Sequence, residues 1–219
     1  MQTEPVVQLD NLFDMVLAGG GLMVPIGICS VISLGYIVER SIRLRAGRLG
    51  DSRLARDLAD TVRNEGPRAG LAKCATDRSS LARVVEAGLK RADAPFMERE
   101  KAVEDAGSRE VDRLSANLKP LVVIGMIAPL LGLLGTVWGM IEAFSAIGTG
   151  DGLGSPETLA AGISQALVTT AAGLAVAIPT QAAYYWFRGR IDRFVHRTED
   201  LYVELNDLIT GEAVEEAAA

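Results

Sequence analysis

The sequence predicts an all-α integral membrane protein: three transmembrane helices and a helical domain on one side of the membrane. Two observations carry this. Leu17 to Val38, Leu121 to Ile141 and Ile163 to Phe187 contain no Lys, Arg, Asp or Glu. Each run supplies the roughly 20 apolar residues that a helix needs to cross a hydrocarbon core of ~30 Å. The basic residues, in turn, are sorted: 18 of the 22 lie between Arg40 and Lys119, the other four are Arg188, Arg190, Arg193 and Arg197, and segments 1–38 and 120–187 have none. One apolar run alone would also fit a buried helix of a soluble protein; three in 219 residues, with polar chain between them, favour the membrane. The hydrophobic share of 49% and the mean hydropathy of +0.23 agree.

Basic residues beside membrane segments stay on the cytoplasmic side, and this assigns each element in order. Residues 1–16, with Glu4, Asp10 and Asp14, form an outer amino terminus, and 17–38 the first span, entering from outside. Its acidic flank, its length and the Arg40, Arg43 and Arg45 that follow mark a retained anchor rather than a cleaved leader. Residues 39–120 form an inner helical domain. Asp51-Ser52 caps a helix through Leu54, Leu58 and Val62 that Gly66-Pro67 ends. Ser79-Ser80 caps another, with Leu81, Val84, Val85 and Leu89 on one face, ending near Pro95. From Phe96 to Leu118 a charged helix carries Val103, Gly107, Val111, Leu114 and Leu118 as a stripe that packs on a neighbouring helix, of this subunit or the next. Residues 121–147 are the second span and 148–162 an outer loop with Asp151 and Glu157. Residues 163–187 form the third span, closed on the inner side by Tyr184, Tyr185, Trp186 and Phe187 ahead of Arg188. The tail, 188–219, continues helically through Ile191, Phe194, Val195, Leu201, Leu205 and Leu208 and frays after Gly211.

Several function classes drop out. The net charge of −6 mixes acids and bases on the same surfaces, and no basic cluster suits nucleic acid. The two cysteines, Cys29 in the first span and Cys74 in the inner domain, cannot pair within one subunit and are expected to be free thiols. The one histidine, His196, sits among Arg193, Arg197 and Glu199, and no set of metal ligands converges. Gly19-Gly20-Gly21 opens a membrane helix rather than following a strand, which argues against a phosphate cradle. No enzyme site, cofactor or metal is implied.

The membrane helices carry the information. Gly132, Gly135 and Gly139 on the second, and Gly173 among alanines on the third, are small residues of the kind that let backbones approach where packing itself must drive association in lipid. Gln165, Thr169 and Thr170 on the third helix and Thr136 on the second form a hydroxyl- and amide-bearing face. Threonine in such a helix often bonds its own preceding carbonyl, so packing and a narrow polar path both remain open from these residues alone. Glu142 lies at the outer edge of the second span, where a carboxylate costs less than at the centre.

Residues 128–141, Ala-Pro-Leu-Leu-Gly-Leu-Leu-Gly-Thr-Val-Trp-Gly-Met-Ile, and 162–179, Gly-Ile-Ser-Gln-Ala-Leu-Val-Thr-Thr-Ala-Ala-Gly-Leu-Ala-Val-Ala-Ile-Pro, resemble the two signature helices of the MotA/TolQ/ExbB proton-channel family. The three-span layout extends the resemblance along the chain and favours the ExbB/TolQ branch, ExbB above all. The resemblance implies a subunit of the bacterial inner membrane with a periplasmic amino terminus and a cytoplasmic carboxyl terminus. It implies a homo-oligomer, a pentamer, set in membrane lipid around the membrane helices of an ExbD-like single-span partner. That complex uses the proton-motive force to act on a TonB-like effector that energises outer-membrane import. The family's pore threonines fall on Thr136 and Thr170; its frequent glutamate is here Gln165. A path of threonine and glutamine hydrogen-bonds water but does not titrate near neutral pH, so the partner supplies the carboxylate. A TolQ-like or gliding-type motor with another effector, a passive channel and a membrane scaffold are the rival readings.

The orientation is open to direct measurement. A cysteine at Ser155 is expected to react with a membrane-impermeant thiol reagent in intact cells, and one at Ser80 is not; the opposite pattern overturns the topology.

Overall fold

In a computed structural model the described residues are 19–44, 49–50, 52–148 and 156–218. The expected outer caps Glu4, Asp10 and Asp14, the cap residue Asp51, and Asp151 and Ser155 of the outer loop lie outside them. Among the described residues the α-helices follow in order: α1 Met23–Arg43, α2 Ser52–Glu65, α3 Pro67–Thr76, α4 Ser80–Leu89, α5 Phe96–Ser115, α6 Lys119–Gly148 and α7 Pro156–Ala218, with a 3-10 turn, Ala116–Leu118, before α6. No strand occurs among the described residues, and three helical stretches are long and apolar enough to cross a membrane. The chain is an all-α membrane protein. It divides into two compact units. The first comprises Met1–Ile37 and Pro120–Tyr184, the second Val38–Lys119 and Tyr185–Ala219.

The first unit is built by close approach of α6 and α7. A Cβ on Gly173 would stand 2.6 Å from the Ala128 carbonyl oxygen and 3.1 Å from the Cα of Gly132. Gly139 faces the Gly162 carbonyl, and a side chain on Gly135 would overlap Thr169. Gly125 continues the row, set against the Gln181 amide. The second helix of the pair therefore lies on a strip of bare backbone, and contact here is between main chains rather than side chains. On α1, Ser33 is tied to Thr180 of α7 by a buried hydroxyl pair 2.6 Å apart, while the Thr180 hydroxyl also donates to Val176 O. Leu130, Leu133, Val137, Ile141 and Phe144 of α6 and Leu167 and Ile178 of α7 remain exposed, as lipid- or neighbour-facing residues must.

The second unit has its own core: Leu58, Val62, Leu81, Val84, Val85, Leu89, Phe194, Leu201 and Leu205 are buried. Ser79 caps α4, its hydroxyl accepting from Ala82 N at 3.2 Å. Gly66, at φ 84°, ends α2 in the left-handed region. Pro67 then occupies the first turn of α3, where its missing N–H costs nothing; a residue read from sequence as a stop is also a start. Of the stripe expected on α5, Val103 and Leu118 are buried, while Gly107, Val111 and Leu114 are half-buried. The face α5 turns inward runs instead through Arg99, Ala102, Val103, Ala106 and Glu110. The polar members explain the rotation: Arg99 donates to Ala92 O, Asn206 and Thr210, and Glu110 receives a two-pronged pair from Arg83 of α4 at 2.8 and 2.7 Å. At the carboxyl end of α1 the buried Arg40 reaches Leu114 O, and Arg43 pairs with Glu39 at 2.7 Å. Phe187 is buried and Trp186 half exposed beneath the Arg190 guanidinium, 4.9 Å from the ring centre.

Both cysteines are free, Cys29 half-buried and Cys74 buried. Burial, with Glu86 and Asp77 nearby, pushes the Cys74 thiol up to about 12. Burial also bears on the choice of labelling positions. Ser80 is 2% exposed, so silence there reports packing as well as sidedness; Ser108, exposed on α5, is the discriminating position on the expected inner side.

Burial raises the Glu110 pKa, but hydrogen bonds from Arg83 and Ser80 and the charges of Arg83 and Arg113 outweigh it, and the net direction is downward. A carboxyl lowered in the folded state adds stability above its unfolded pKa and loses it as pH falls through the folded value. Glu110→Gln is therefore expected to lower stability by about 1–2 kcal/mol at neutral pH, a modest figure because Arg83 is a third exposed to screening solvent. The variant should also flatten the acid limb of the wild-type stability profile below the ordinary carboxylate range. Thermal unfolding followed by circular dichroism from pH 7 downward measures both.

Candidate functional site

The polar positions singled out in the sequence lie on the α6–α7 pair, and the structure sorts them into three surroundings. Thr170 is half-buried at the helix crossing, its hydroxyl donating to Gly132 O at 3.0 Å. It can reach that carbonyl because Gly132 has no side chain in the way. Thr169 is 1% exposed; its hydroxyl spans Gln165 O at 2.7 Å and Gly19 O at 3.0 Å. Thr136 donates back along its own helix to Leu133 O at 2.7 Å. It borders a shallow groove whose other lining residues, Val137, Met140, Ile141, Phe144 and Ser145, all belong to α6. A hydroxyl that donates to a carbonyl keeps its oxygen lone pairs as acceptors, so Thr136 and Thr170 can still each receive a hydrogen bond from water.

Gln165 and Glu142 meet in another place. A cavity of about 370 Å³ is lined by Gly19, Gly21, Leu22, Leu134, Gly135, Trp138, Glu142 and Gln165. Glu142 is exposed, and one oxygen accepts the Trp138 indole N–H at 2.8 Å. This i, i+4 bond on one helix face holds the carboxylate at the N–H edge of the ring. The structure thus brings Gln165 and Glu142 to one cavity, seats Thr169 behind it against the turn that opens α1, and places Thr136 on a separate face. Among the described residues no group of three His, Cys, Asp or Glu could hold a metal. The His196 side chain is 76% exposed, 3.5 Å from Glu199.

Sequence reasoning passed over Gly125, Gly162, Ser33, Thr180 and Gln181. Gly125, Gly132 and Gly139 recur at seven residues, a period that keeps one helix face toward its neighbour, and that spacing could have found Gly125. The Ser33–Thr180 pair joins residues 147 apart and leaves no local signal.

With this geometry in hand, comparison with known proteins is informative. A model of the MotA/TolQ/ExbB proton channel family matches residues 76–200, the stretch that includes α6 and most of α7. An ExbB-like biopolymer transport protein of Synechocystis sp. is 34% identical over 176 residues, 79% of this chain and 69% of its own length. Biopolymer transport protein exbB1 of Vibrio cholerae is 30% identical over 196 residues, covering 87% and 86% of the two chains. Tol-Pal system protein TolQ of Pseudomonas aeruginosa is 39% identical over 97 residues, 44% and 42%.

The bare strip predicts an asymmetry among glycines. Alanine is the better helix former by about 0.5–1 kcal/mol, and at Gly27, with nothing within 4 Å of an added Cβ, Gly27→Ala is expected to be neutral or slightly stabilising. Gly173→Ala drives a methyl onto backbone and should cost about 1–3 kcal/mol. Thermal midpoints of the two purified variants compare them.

Proposed function

The chain belongs to the MotA/TolQ/ExbB proton channel family, and from that premise we propose that it is an ExbB-like motor subunit of the bacterial inner membrane. With an ExbD-like single-span partner it couples the proton-motive force to a TonB-like effector and so energises import across the outer membrane. Its amino terminus is periplasmic and its carboxyl terminus cytoplasmic, a reading that the sorting of Lys and Arg supports.

The observation that carries this reading is the position of Thr136. It is half-buried on a face of α6 whose groove, among the described residues, is lined by α6 alone. A polar path along that face is completed only by other chains: copies of this subunit, a pentamer in our reading, and the partner's helix at their axis. The three apolar runs hold no Asp, Glu, Lys or Arg, and hydroxyls and amides do not titrate near neutral pH. The titrating carboxylate belongs to the partner; Thr136 and Thr170, with Thr169 and Gln165, line or buttress its path. Glu142, on the cavity wall beside Trp138, marks the outer mouth, where a carboxylate attracts cations without the cost of a central burial. The TolQ relative, 39% identical over its matched stretch, supports one alternative, a motor of the same design with a Tol-type effector. The proteins that co-purify decide between them.

Thr136→Val and Thr170→Val keep size and shape and delete a hydroxyl, a loss of roughly 0.5–1.5 kcal/mol each and too little to dismantle an oligomer. The double variant is expected to retain its partner in a pull-down yet lose proton-dependent uptake, and Gln165→Ala to do less harm. Full activity of the double variant overturns the path, and loss of assembly reassigns both threonines to packing. Native mass spectrometry in mild detergent should show a homo-oligomer; a stable monomer overturns the reading at its base.

A further inference from the structure

The Gly19-Gly20-Gly21 turn, which resembles no phosphate cradle, has a use that the motor reading leaves unassigned. Gly20 sits at φ +68°, in the left-handed region that favours glycine. The side of Gly20 where a Cβ would project is filled by the Gln165 amide: the added atom would overlap Gln165 Nε2 and come within 3.3 Å of Cδ. On one side of Gly20, the Gly19 carbonyl accepts the Thr169 hydroxyl at 3.0 Å, and the same hydroxyl donates to the carbonyl of Gln165. On the other, Gly21 lines the cavity that Gln165 shares with Glu142. Thr169 itself cannot retreat, because its side chain is pressed against Gly135 of α6. The backbone of one turn thus touches the Gln165 side chain and is bonded, through Thr169, to the residue's own main chain.

We infer that the Gly19–Gly21 turn is a clamp that positions the Gln165 amide on the wall of the outer cavity opposite the Glu142 carboxylate, with Gly20 the positioning residue. The inference rests on the motor reading for its consequence: a Gln165 pushed toward the cavity would obstruct water and hydrated cations between the outer mouth and the path that Thr136 and Thr170 line. It does not require Gln165 to titrate. Gln165 is the wall, and the turn sets where the wall stands. The bare Cα of Gly20 is what allows backbone to lie directly on an amide, so any side chain here shifts Gln165 or the turn.

The test uses the full chain with its co-purifying partner and two readouts, the thermal midpoint of the complex and proton-dependent uptake in cells. Gly20→Ala should lower uptake at least about tenfold, the scale on which small misplacements act, while the partner still co-purifies. Gly20→Asn separates the two demands on this position, since asparagine tolerates positive φ yet carries a Cβ; it should be as defective as alanine. Gln165→Ala removes the obstacle but not the strain of alanine at positive φ, so Gly20→Ala/Gln165→Ala should return to the uptake of Gln165→Ala alone while its midpoint stays lower. Wild-type uptake in either Gly20 variant, or a double variant no better than Gly20→Ala, overturns the clamp. If Gly20→Ala is fully active while Thr136→Val/Thr170→Val is not, the clamp fails and the motor reading stands. If every variant, the threonine pair included, works at the wild-type rate, both fall.

Discussion

Between α6 and α7 the distance of approach is set by atoms that are absent. In water two helices are pressed together because their apolar faces leave solvent; in lipid that drive vanishes, since an acyl chain is as apolar as leucine. What remains is dispersion over a large shared surface, which falls away within an ångström of extra separation. Gly132, Gly135, Gly139 and Gly173 remove the side chains that would hold the backbones apart. The hydroxyl of Thr170 can then reach Gly132 O, and Thr169 can be walled in by Gly135. The polar arrangement of the first unit is therefore downstream of a packing decision made by glycine.

The polar residues follow a second rule. A hydroxyl left unpaired in hydrocarbon costs several kcal/mol, and among the described residues of the first unit each buried hydroxyl has a nearby acceptor: Thr180 has Val176 O, Thr169 has Gln165 O, Ser33 has Thr180. The threonines satisfy themselves locally and then spend remaining capacity across helices. Such residues can serve a path without destabilising the subunit that carries it. In the second unit the same demand is met with charge, as in the Arg83–Glu110 pair and the hold of Arg99 on Asn206 and Thr210.

The parts of this fold that could be read from sequence are those written in local terms. An uninterrupted apolar run needs no tertiary knowledge, because the membrane imposes its length on every spanning helix. The Ser79 cap was legible for a similar reason, its partner being three residues away. Gly66-Pro67 was half legible: the pair stops one helix, but whether Pro67 then begins another depends on what α3 packs against, and Val62 pressed to Gly70 answers that only in three dimensions. The rotation of α5 was hidden because its apolar stripe competed with Arg99 and Glu110, and polarity gave no hint that both would turn inward. At the site, residue types marked Thr136, Gln165, Thr169 and Thr170, but nothing local places Gly19 under the Thr169 hydroxyl, 150 residues apart.

Cys74 lies buried in α3 with a thiol pushed up to about 12. At neutral pH almost none of it is thiolate, the only form that attacks an alkylating reagent or a disulfide. Labelling of Cys74 under native conditions must therefore wait for α3 to lift away from its neighbours, after which the exposed thiol reacts at its ordinary rate. If reclosure outpaces reaction, the labelling rate is the opening equilibrium multiplied by a known constant, and it yields a local free energy directly. The protein thus carries, without any engineering, a clock that ticks only when its second unit breathes.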